Sequence, residues 1–352
     1  ADKPIDSWLK DIKVDAYASN VNHLMDNYSL RTPPSYPAGK PKAGQRMLRA
    51  TTTTTETAGG AIIMQSHTGN TSWNYGLNIQ NNDRDAVLNN MDSGMAKSIS
   101  YLWPGAQINQ SGLFGEAETR IAEKQRLKYG LRLDYVQASA DKVDLKPEAG
   151  PKTANQMYQM YYGTQASDKN ETNVGGLLRY ELDFSKDMVF FTGLSRSVRT
   201  ADATERYMNK FAMKPVLQWV GNPDIKPEKH HQIDLGIGQH NQRVSWNGVL
   251  FYDDVSDYIL RDTARGQSGT TQSNGADIYR NVDAVLWGTE VDATWALTKS
   301  LDLSGSLAYV KATNTTDDDR PIAQTPPLNG RVGLNYSVSR WGAGGRIRFA
   351  AE

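Results

Sequence analysis

The chain has 352 residues with 39 Lys and Arg against 39 Asp and Glu, and this balance excludes a protein that holds nucleic acid mainly by electrostatic attraction. Its mean hydropathy of -0.60 and the lack of any run of about 18 apolar residues exclude helical membrane spans, but not strands that cross a membrane. With no cysteine, disulfides and thiolate metal sites within the chain are excluded as well.

Apolar and polar residues alternate along much of the chain, which predicts an all-β protein. Around residue 178, for example, Val174, Leu178 and Tyr180 share one parity, while Arg179 and Glu181 share the other. A period of two places each set on one face of a strand. We predict about thirteen strands, in chain order 10–25, 45–66, 71–82, 108–121, 125–139, 171–184, 188–200, 228–239, 242–262, 277–297, 301–313, 327–338 and 342–350.

The connections between these strands are alternately short and long. The short ones are 67–70, 122–124, 185–187, 240–241, 298–300 and 339–341; the long ones are 26–44, 83–107, 140–170, 201–227, 263–276 and 314–326. Short turns at one end, long loops at the other and strands with one apolar face are typical of an antiparallel transmembrane β-barrel of the bacterial outer membrane. The run from Thr51 to Thr55 is polar on both faces, so we expect strand there that extends beyond the bilayer.

The strand count is odd, whereas bacterial single-chain barrels have an even number of strands. We therefore expect residues 1–352 to form part of a β-barrel domain, and the natural chain to be longer than this one.

Several segments of the second half resemble the TonB-dependent outer-membrane receptors. Residues 222–236 (NPDIKPEKHHQIDLG) are similar to the NPxLKPExxxxxELG signature of that family. Residues 249–259, 281–291 and 326–336 resemble its FYxxxxDYI, NVDxAxxxGxE and PPxxxxxGLxY segments, in the same order. The resemblance implies a 22-stranded barrel of which about 13 strands are in this chain, without the plug domain and without the TonB box.

The first half resembles one branch of that family. Residues 17–31 (YASNVNHLMDNYSLR) are similar to the VxHxMDNxSLR strand of the TonB-dependent copper receptors of the OprC/NosA type. In that branch a His-x-Met pair on the barrel wall and a Cys-x-x-x-Met pair on the plug bind copper. The resemblance implies that His23 and Met25 are metal ligands here, that the transported ion is copper, as Cu(I), and that the TonB complex is a partner through the missing N-terminal part.

The residue pattern supports such a site only in part. His23 and Met25 share a parity with Lys13 and Asp15, so we expect them on the polar face, roughly 7 Å apart along the strand. Imidazole and thioether are soft ligands that suit copper better than Ca²⁺ or Mg²⁺. Spacing alone favours a different interpretation, in which His23 is a polar lumen residue and Met25 fills a gap under the loop.

Other histidines and methionines have structural interpretations. We expect His230 on the polar face and His231 at the membrane interface, both in structural roles. Six methionines fall in predicted long loops, where gap filling is favoured over weak metal binding: Met91, Met95, Met157, Met160, Met208 and Met213.

The sequence therefore predicts an outer-membrane receptor that imports copper, in contact with outer-membrane lipid and without nucleic acid. One alternative is a receptor for a metal chelate such as a siderophore, which needs a larger aromatic and cationic pocket at the mouth. A passive porin-like barrel is a further alternative. No nucleophile–base set stands out, so an enzyme is not predicted.

Overall fold

The computed structural model describes residues 9–39, 41–323 and 325–351. Residues 40 and 324, which fall in two of the predicted loops, and residues 1–8 and 352 of the predicted barrel domain lie outside the described residues. All thirteen predicted strands are present: β1 Leu9–Asp26, β2 Arg49–Thr68, β3 Thr71–Asn90, β4 Lys97–Ala122, β5 Gln125–Ala140, β6 Lys169–Asp183, β7 Met188–Arg199, β10 Glu228–His240, β11 Val244–Thr263, β12 Asp277–Ala296, β13 Leu301–Asn314, β15 Asn329–Val338 and β16 Trp341–Ala350.

The strands form one sheet whose order follows the chain. Each long strand pairs antiparallel with the next one, and β7 pairs directly with β10 across the intervening loop. Three two-residue strands are added at the loop end: β8 Asn209–Lys210, β9 Trp219–Val220 and β14 Arg320–Pro321. Within the described residues β1 and β16 each have one partner strand, so the sheet is an open antiparallel wall that confirms the predicted all-β class.

The two faces of the sheet differ as the alternation predicts. One face, called the outer face here, exposes apolar side chains on nearly every strand, including Ile62, Leu77, Leu113, Leu133, Leu178, Leu194, Leu235, Leu250, Val332 and Leu334. The other, called the inner face, carries ion pairs such as Arg126–Asp183 and Arg132–Asp134. An apolar outside and a charged inside are the arrangement of a membrane barrel.

Aromatic pairs lie on the outer face at two heights. Trp73 and Tyr129 meet edge to face at 6.0 Å near the short turns, and Trp287 and Tyr309 meet at 5.6 Å further toward the long loops. Aromatic rings of this kind favour the two boundaries between hydrocarbon and water.

The prediction of a long loop at 83–107 is wrong. β3 continues to Asn90 and β4 begins at Lys97, so the connection has only the residues 91–96. The segment from Asn81 to Asp85 is rich in residues with low strand propensity and is polar on both faces, which hid the strand in the sequence. Its backbone is held by ladders to β2 and β4 on either side, and these override the local preference.

Two of the predicted loops contain helices that the strand pattern did not indicate. α1 Ala154–Tyr162 begins at a capping box made by Thr153 and Gln156, and α2 Ala203–Tyr207 begins at one made by Asp202 and Glu205. Both boxes are readable as S/T/D-x-x-E/Q patterns. Among the described residues no helix combines the length and the apolar character needed to cross a membrane.

The long loops 141–168, 200–227 and 264–276 pack together into what we call the loop cap. Its largest cluster contains Met157, Tyr158 and Tyr161 of α1 against Val220 and Ile278, all of them buried. Three phenols hydrogen-bond inside it: Tyr158 Oη donates to Tyr207 O at 2.7 Å, Tyr161 Oη to Gln218 Oε1 at 2.6 Å and Tyr162 Oη to Val220 O at 2.8 Å. The cap therefore has a core of its own at the end of the sheet where the long loops lie.

Candidate functional site

His23 and Met25 lie on β1 close to its long-loop end. In the antiparallel pairing with β2, His23 stands opposite Thr53 and Met25 opposite Thr51. Both side chains project from the inner face, because they share the parity of Lys13 and Asp15, and both are exposed, Met25 by 48%. His23 and Met25 are two residues apart on an extended strand, so their Cα atoms are about 7 Å apart.

On the outer face the residues just before His23 are polar, whereas Leu24, between His23 and Met25, is apolar and exposed. Asn20 Nδ2 donates to Glu56 Oε1 at 2.8 Å, and Thr54 Oγ1 donates to Asn22 Oδ1 at 2.9 Å. The apolar part of β1, around Ile12 and Val14, ends before these residues. His23 and Met25 therefore lie at the long-loop end of β1, and the polar residues Asn20 and Asn22 separate them from Ile12 and Val14.

The chain turns sharply directly after Met25. Asp26 closes this turn, because its carboxylate accepts from Tyr28 N at 2.8 Å and from Ser29 N at 2.7 Å. Asn27 then joins the start of β2, donating its N–H to Arg49 O at 3.1 Å and accepting from Arg49 N at 2.9 Å. The residues that follow Met25 in the MDN segment thus fix the direction in which the strand ends.

The connection from β1 to β2 is anchored by Asp92, a residue that the sequence did not single out. Its carboxylate accepts from Tyr36 Oη at 2.5 Å, Leu48 N at 2.9 Å and Arg49 Nη1 at 3.0 Å; we call this group the Asp92 clamp. Burial alone raises the pKa of the Asp92 carboxyl, but these hydrogen bonds and the Arg49 charge outweigh it and hold the pKa well below its usual range. The clamp joins the loop that leaves Met25 to the turn after β3.

The other predicted histidines lie where their parity placed them. His230 is on the inner face between Asp253, whose Oδ2 is 2.7 Å from Nδ1, and Glu228, whose Oε2 is 3.4 Å from Nε2. His231 projects from the outer face beside Arg196. In the part of the chain that the structure describes, no three His, Asp or Glu side chains form a group suited to a metal ion.

The methionines of the predicted loops fall into two groups. Met157 and Met208 are buried in the loop cap and fill space, in agreement with the structural interpretation. Met95 and Met213 are exposed by 67% and 87%. Met91 and Met95 stand in the short connection 91–96 instead of a long loop.

One aromatic and cationic group lies at the loop end of the sheet. The guanidinium of Arg261 sits 4.3 Å above the Trp219 ring, which stacks on Tyr279 at 6.3 Å. Tyr279 is buried in the loop cap, and Arg261 also pairs with Asp277 at 2.6 Å. The side chains of this group therefore mainly contact one another and the loop cap, and they do not form an open pocket.

Comparison with protein-family models gives a match over almost the whole chain. The family described as TonB dependent receptor-like, beta-barrel, matches residues 2–352. The chain belongs to this family. Its members are transporters of the bacterial outer membrane and not enzymes, so the barrel class and the outer-membrane localisation predicted from the sequence are confirmed. No curated protein gives a significant sequence match.

Three solved structures with this fold are similar to the chain, and one of them has a clearly higher sequence identity than the other two. The chain is 27% identical to the copper transporter OprC, with a TM-score of 0.77, covering 97% of this chain and 50% of that one. It is 12% identical to the ferric yersiniabactin uptake receptor FyuA from Yersinia pestis, with a TM-score of 0.58, covering 87% and 44%. It is 14% identical to the FrpB iron transporter from Neisseria meningitidis, with a TM-score of 0.59, covering 96% of this chain and 48% of that one. The chain spans about half the length of these structures.

Proposed function

We propose that the protein imports copper across the outer membrane and that His23 and Met25 supply two of the ligands. The observation that carries the proposal is the presence of an imidazole and a thioether on one face of a strand, both exposed at the loop end, within a segment that resembles the copper receptors. The 27% identity to the copper transporter OprC supports the same cargo, whereas the iron-transport structures reported above share only the fold.

The chemistry of the pair suits a soft ion. A neutral imidazole nitrogen and a thioether sulfur together favour copper, and Cu(I) in particular, over hard cations. Two side chains leave the ion short of ligands, so we propose that the plug domain of the complete receptor supplies the others. Release of the ion then depends on energy that the TonB complex delivers through the N-terminal part.

The experiment that tests this proposal is the copper content of the intact receptor, purified from outer membranes of copper-supplied cells. We expect about one copper per wild-type protein and almost none in a His23→Ala, Met25→Ala double variant, because both soft donors are lost. The matched control is Asn22→Ala with Leu24→Ala, which alters the same strand on its opposite face and should leave the copper in place. Equal copper in the double variant and the wild type contradicts the assignment.

A receptor for a metal chelate is the second candidate. The side chains at the loop end with the fitting chemistry are the Arg261–Trp219–Tyr279 group, although packing leaves no open pocket there. Aromatic and cationic side chains suit an anionic chelate. In that case replacing Trp219 by Ala abolishes uptake of the chelate, while the His23→Ala, Met25→Ala double variant transports normally. Copper-dependent growth of cells that carry each variant as their only copy of the receptor separates the two functions.

A further inference from the structure

The inner face of β2 has no charged residue from Thr51 to Gln65. Residues that stand directly opposite on paired strands share a face, so the pairing of β2 with His23 and Met25 places its odd-numbered residues on the inner face. These are Thr51, Thr53, Thr55, Thr57, Gly59, Ala61, Ile63 and Gln65. On β3 the same face carries Asn82, Gln80, Asn78, Gly76 and Asn74. We call these two rows of uncharged residues the neutral lane.

The neutral lane begins at the proposed metal ligands. Thr51 stands opposite Met25, and Thr53 stands opposite His23. From Thr51 to Thr57 the lane runs about 20 Å along β2, away from the long loops. An ion that follows this wall therefore meets hydroxyls first and then amides, with no carboxylate or ammonium group among the residues of the lane.

The wall formed by β5 and β6 has the opposite character. On its inner face Arg126 Nη1 lies 2.7 Å from Asp183 Oδ2, and Lys128 Nζ lies 3.0 Å from Glu181 Oε1. Cations on this wall repel a moving copper ion and carboxylates hold it back, because interactions between charges are strong where water is scarce. Such a wall is a poor route for a free cation.

Within the described residues the loop cap covers other parts of the inner face. Ala106 of β4 and Ile278 of β12 both project inward, and they are buried in clusters that contain Tyr207 and Met157 of the cap. The proposed ligands on β1 lie outside these clusters and are exposed. An ion that arrives at the long-loop end therefore reaches the start of the neutral lane without passing through the cap.

One cation of β3 stands beside the neutral lane. Arg84 lies on the inner face next to Asn82, and its Nε donates to Asn82 Oδ1 at 2.7 Å. Its guanidinium lies 5.6 Å from the centre of the Trp103 ring, and Nη1 is 4.0 Å from Asp202 Oδ2. These contacts hold the charge of Arg84 against the loop cap and partly balance it with a carboxylate.

We propose that copper released from His23 and Met25 moves along the neutral lane toward the short-turn end, an inference that rests on the proposed function. Hydroxyl and amide oxygens are hard, uncharged donors that bind Cu(I) weakly. They replace part of the hydration of the ion without retaining it, and passage through a pore requires sites of this weak, repeated kind. The soft pair at the mouth thus selects the ion, and the lane lets it leave.

Copper uptake by cells that carry each variant as their only copy of the intact receptor tests the proposal, beside the copper content of the purified receptor. Thr57→Lys places a cation in the neutral lane about 13 Å along β2 from Thr53. We expect the initial uptake rate to fall about tenfold or more, because the ammonium group repels the ion. Copper content should stay at the wild-type level, since both ligands are unchanged, and this also shows that the variant has folded.

Two control variants separate charge from bulk and one wall from another. Thr57→Gln adds length at the same position without a charge. Ser195→Lys adds the same charge at another half-buried hydroxyl residue of the inner face, on β7 opposite Leu177 and Gln232. Both should import copper at close to the wild-type rate.

Uptake in Thr57→Lys that equals the wild type overturns the proposal. So does an equal loss in Ser195→Lys, which shows that any added charge in the lumen blocks import, or an equal loss in Thr57→Gln, which shows that bulk at this position obstructs the plug. All three outcomes leave the copper content of the wild type intact, and the proposed function then stands without the lane. A wild-type receptor that neither binds nor imports copper overturns both.

Discussion

The loop cap and the His23–Met25 end of β1 lie at the same end of the sheet but are built in opposite ways. The cap buries α1 and its phenols in a core of its own, whereas His23 and Met25 stand exposed on a strand held by one neighbour within the described residues. Side chains that fix the shape of the mouth are buried and mutually bonded. Side chains with the chemistry to take up a soft ion are left open to water, where an ion that arrives from solution can reach them.

The largest effect should come from the buried ion pair of the cap. Arg206 is 1% exposed and pairs with Glu171, so Arg206→Met leaves a buried carboxylate without its cation. We expect the cap to lose about 3–5 kcal/mol of stability. Faster hydrogen exchange across residues 200–227 measures the loss, and Arg320→Met, which removes an exposed pair with Asp318, should leave exchange unchanged. Normal exchange in Arg206→Met contradicts the view of the cap as one packed unit.

Substitution of two methionines, one in each region, should distinguish a packing role from a metal-binding role. Met157→Ala opens a cavity in the cap and should cost about 2–5 kcal/mol, while copper content stays at the wild-type level. Met25→Ala should do the reverse, with copper lost and the cap unchanged. Thermal denaturation followed beside metal analysis checks both. Loss of copper in Met157→Ala shows that the two regions are coupled.

The two regions should respond to opposite extremes of pH. The pKa of Asp92 is lowered in the folded protein, so the clamp is fully stabilising above the unfolded pKa of about 4 and is lost as pH falls through the folded value. Burial raises the pKa of Tyr207 in the cap to about 12, so that contribution is present below about pH 10 and is lost as pH rises toward 12.

Hydrogen exchange at both extremes of pH measures this difference. The protection of residues 27–39, taken relative to the intrinsic exchange rate at each pH, should fall in acid, and the protection of the cap should fall in alkali. Asp92→Asn should already loosen residues 27–39 at neutral pH, by about 1–3 kcal/mol, and remove the acid step. Acid loosening that persists in this variant shows that another group carries it.

The smallest effect is expected beside His23. Thr53 Oγ1 donates to His23 O at 3.4 Å, a long hydrogen bond on an exposed surface. Thr53→Val should change stability by less than about 0.5 kcal/mol and leave copper bound, because the valine keeps the shape and strand propensity of the position. Copper analysis of this variant shows whether the site depends on its side-chain donors or on any disturbance of the strand.

The strands and short turns were predictable because burial of one face imposes a period of two that no other element imitates. The prediction failed between residues 83 and 107, where both faces are polar and the alternation that marks a strand disappears. The helices of the cap were missed for a related reason, since their capping boxes are short signals inside segments with no strand pattern.

Of the candidate site, only the two proposed ligands His23 and Met25 were predictable from the sequence. His23 and Met25 share a face because they are two apart on one strand, which sequence spacing shows directly. The Asp92 clamp was not predictable, since Tyr36, Arg49 and Asp92 are far apart in the chain and meet only because β1, β2 and β3 end together. No single one of these residues is unusual enough to mark the contact.

The order of the strands in the sheet also has a consequence for how the wall is assembled. Every long strand pairs with the long strand that follows it, so each step adds a hairpin to an edge that already exists. The entropic cost of closing a loop grows only with the logarithm of its length, so the segment from β7 to β10 costs roughly 2 kcal/mol more to close than a two-residue turn. Folding can proceed strand by strand along the chain, and the long loops can acquire their own packing after the strands beneath them are paired.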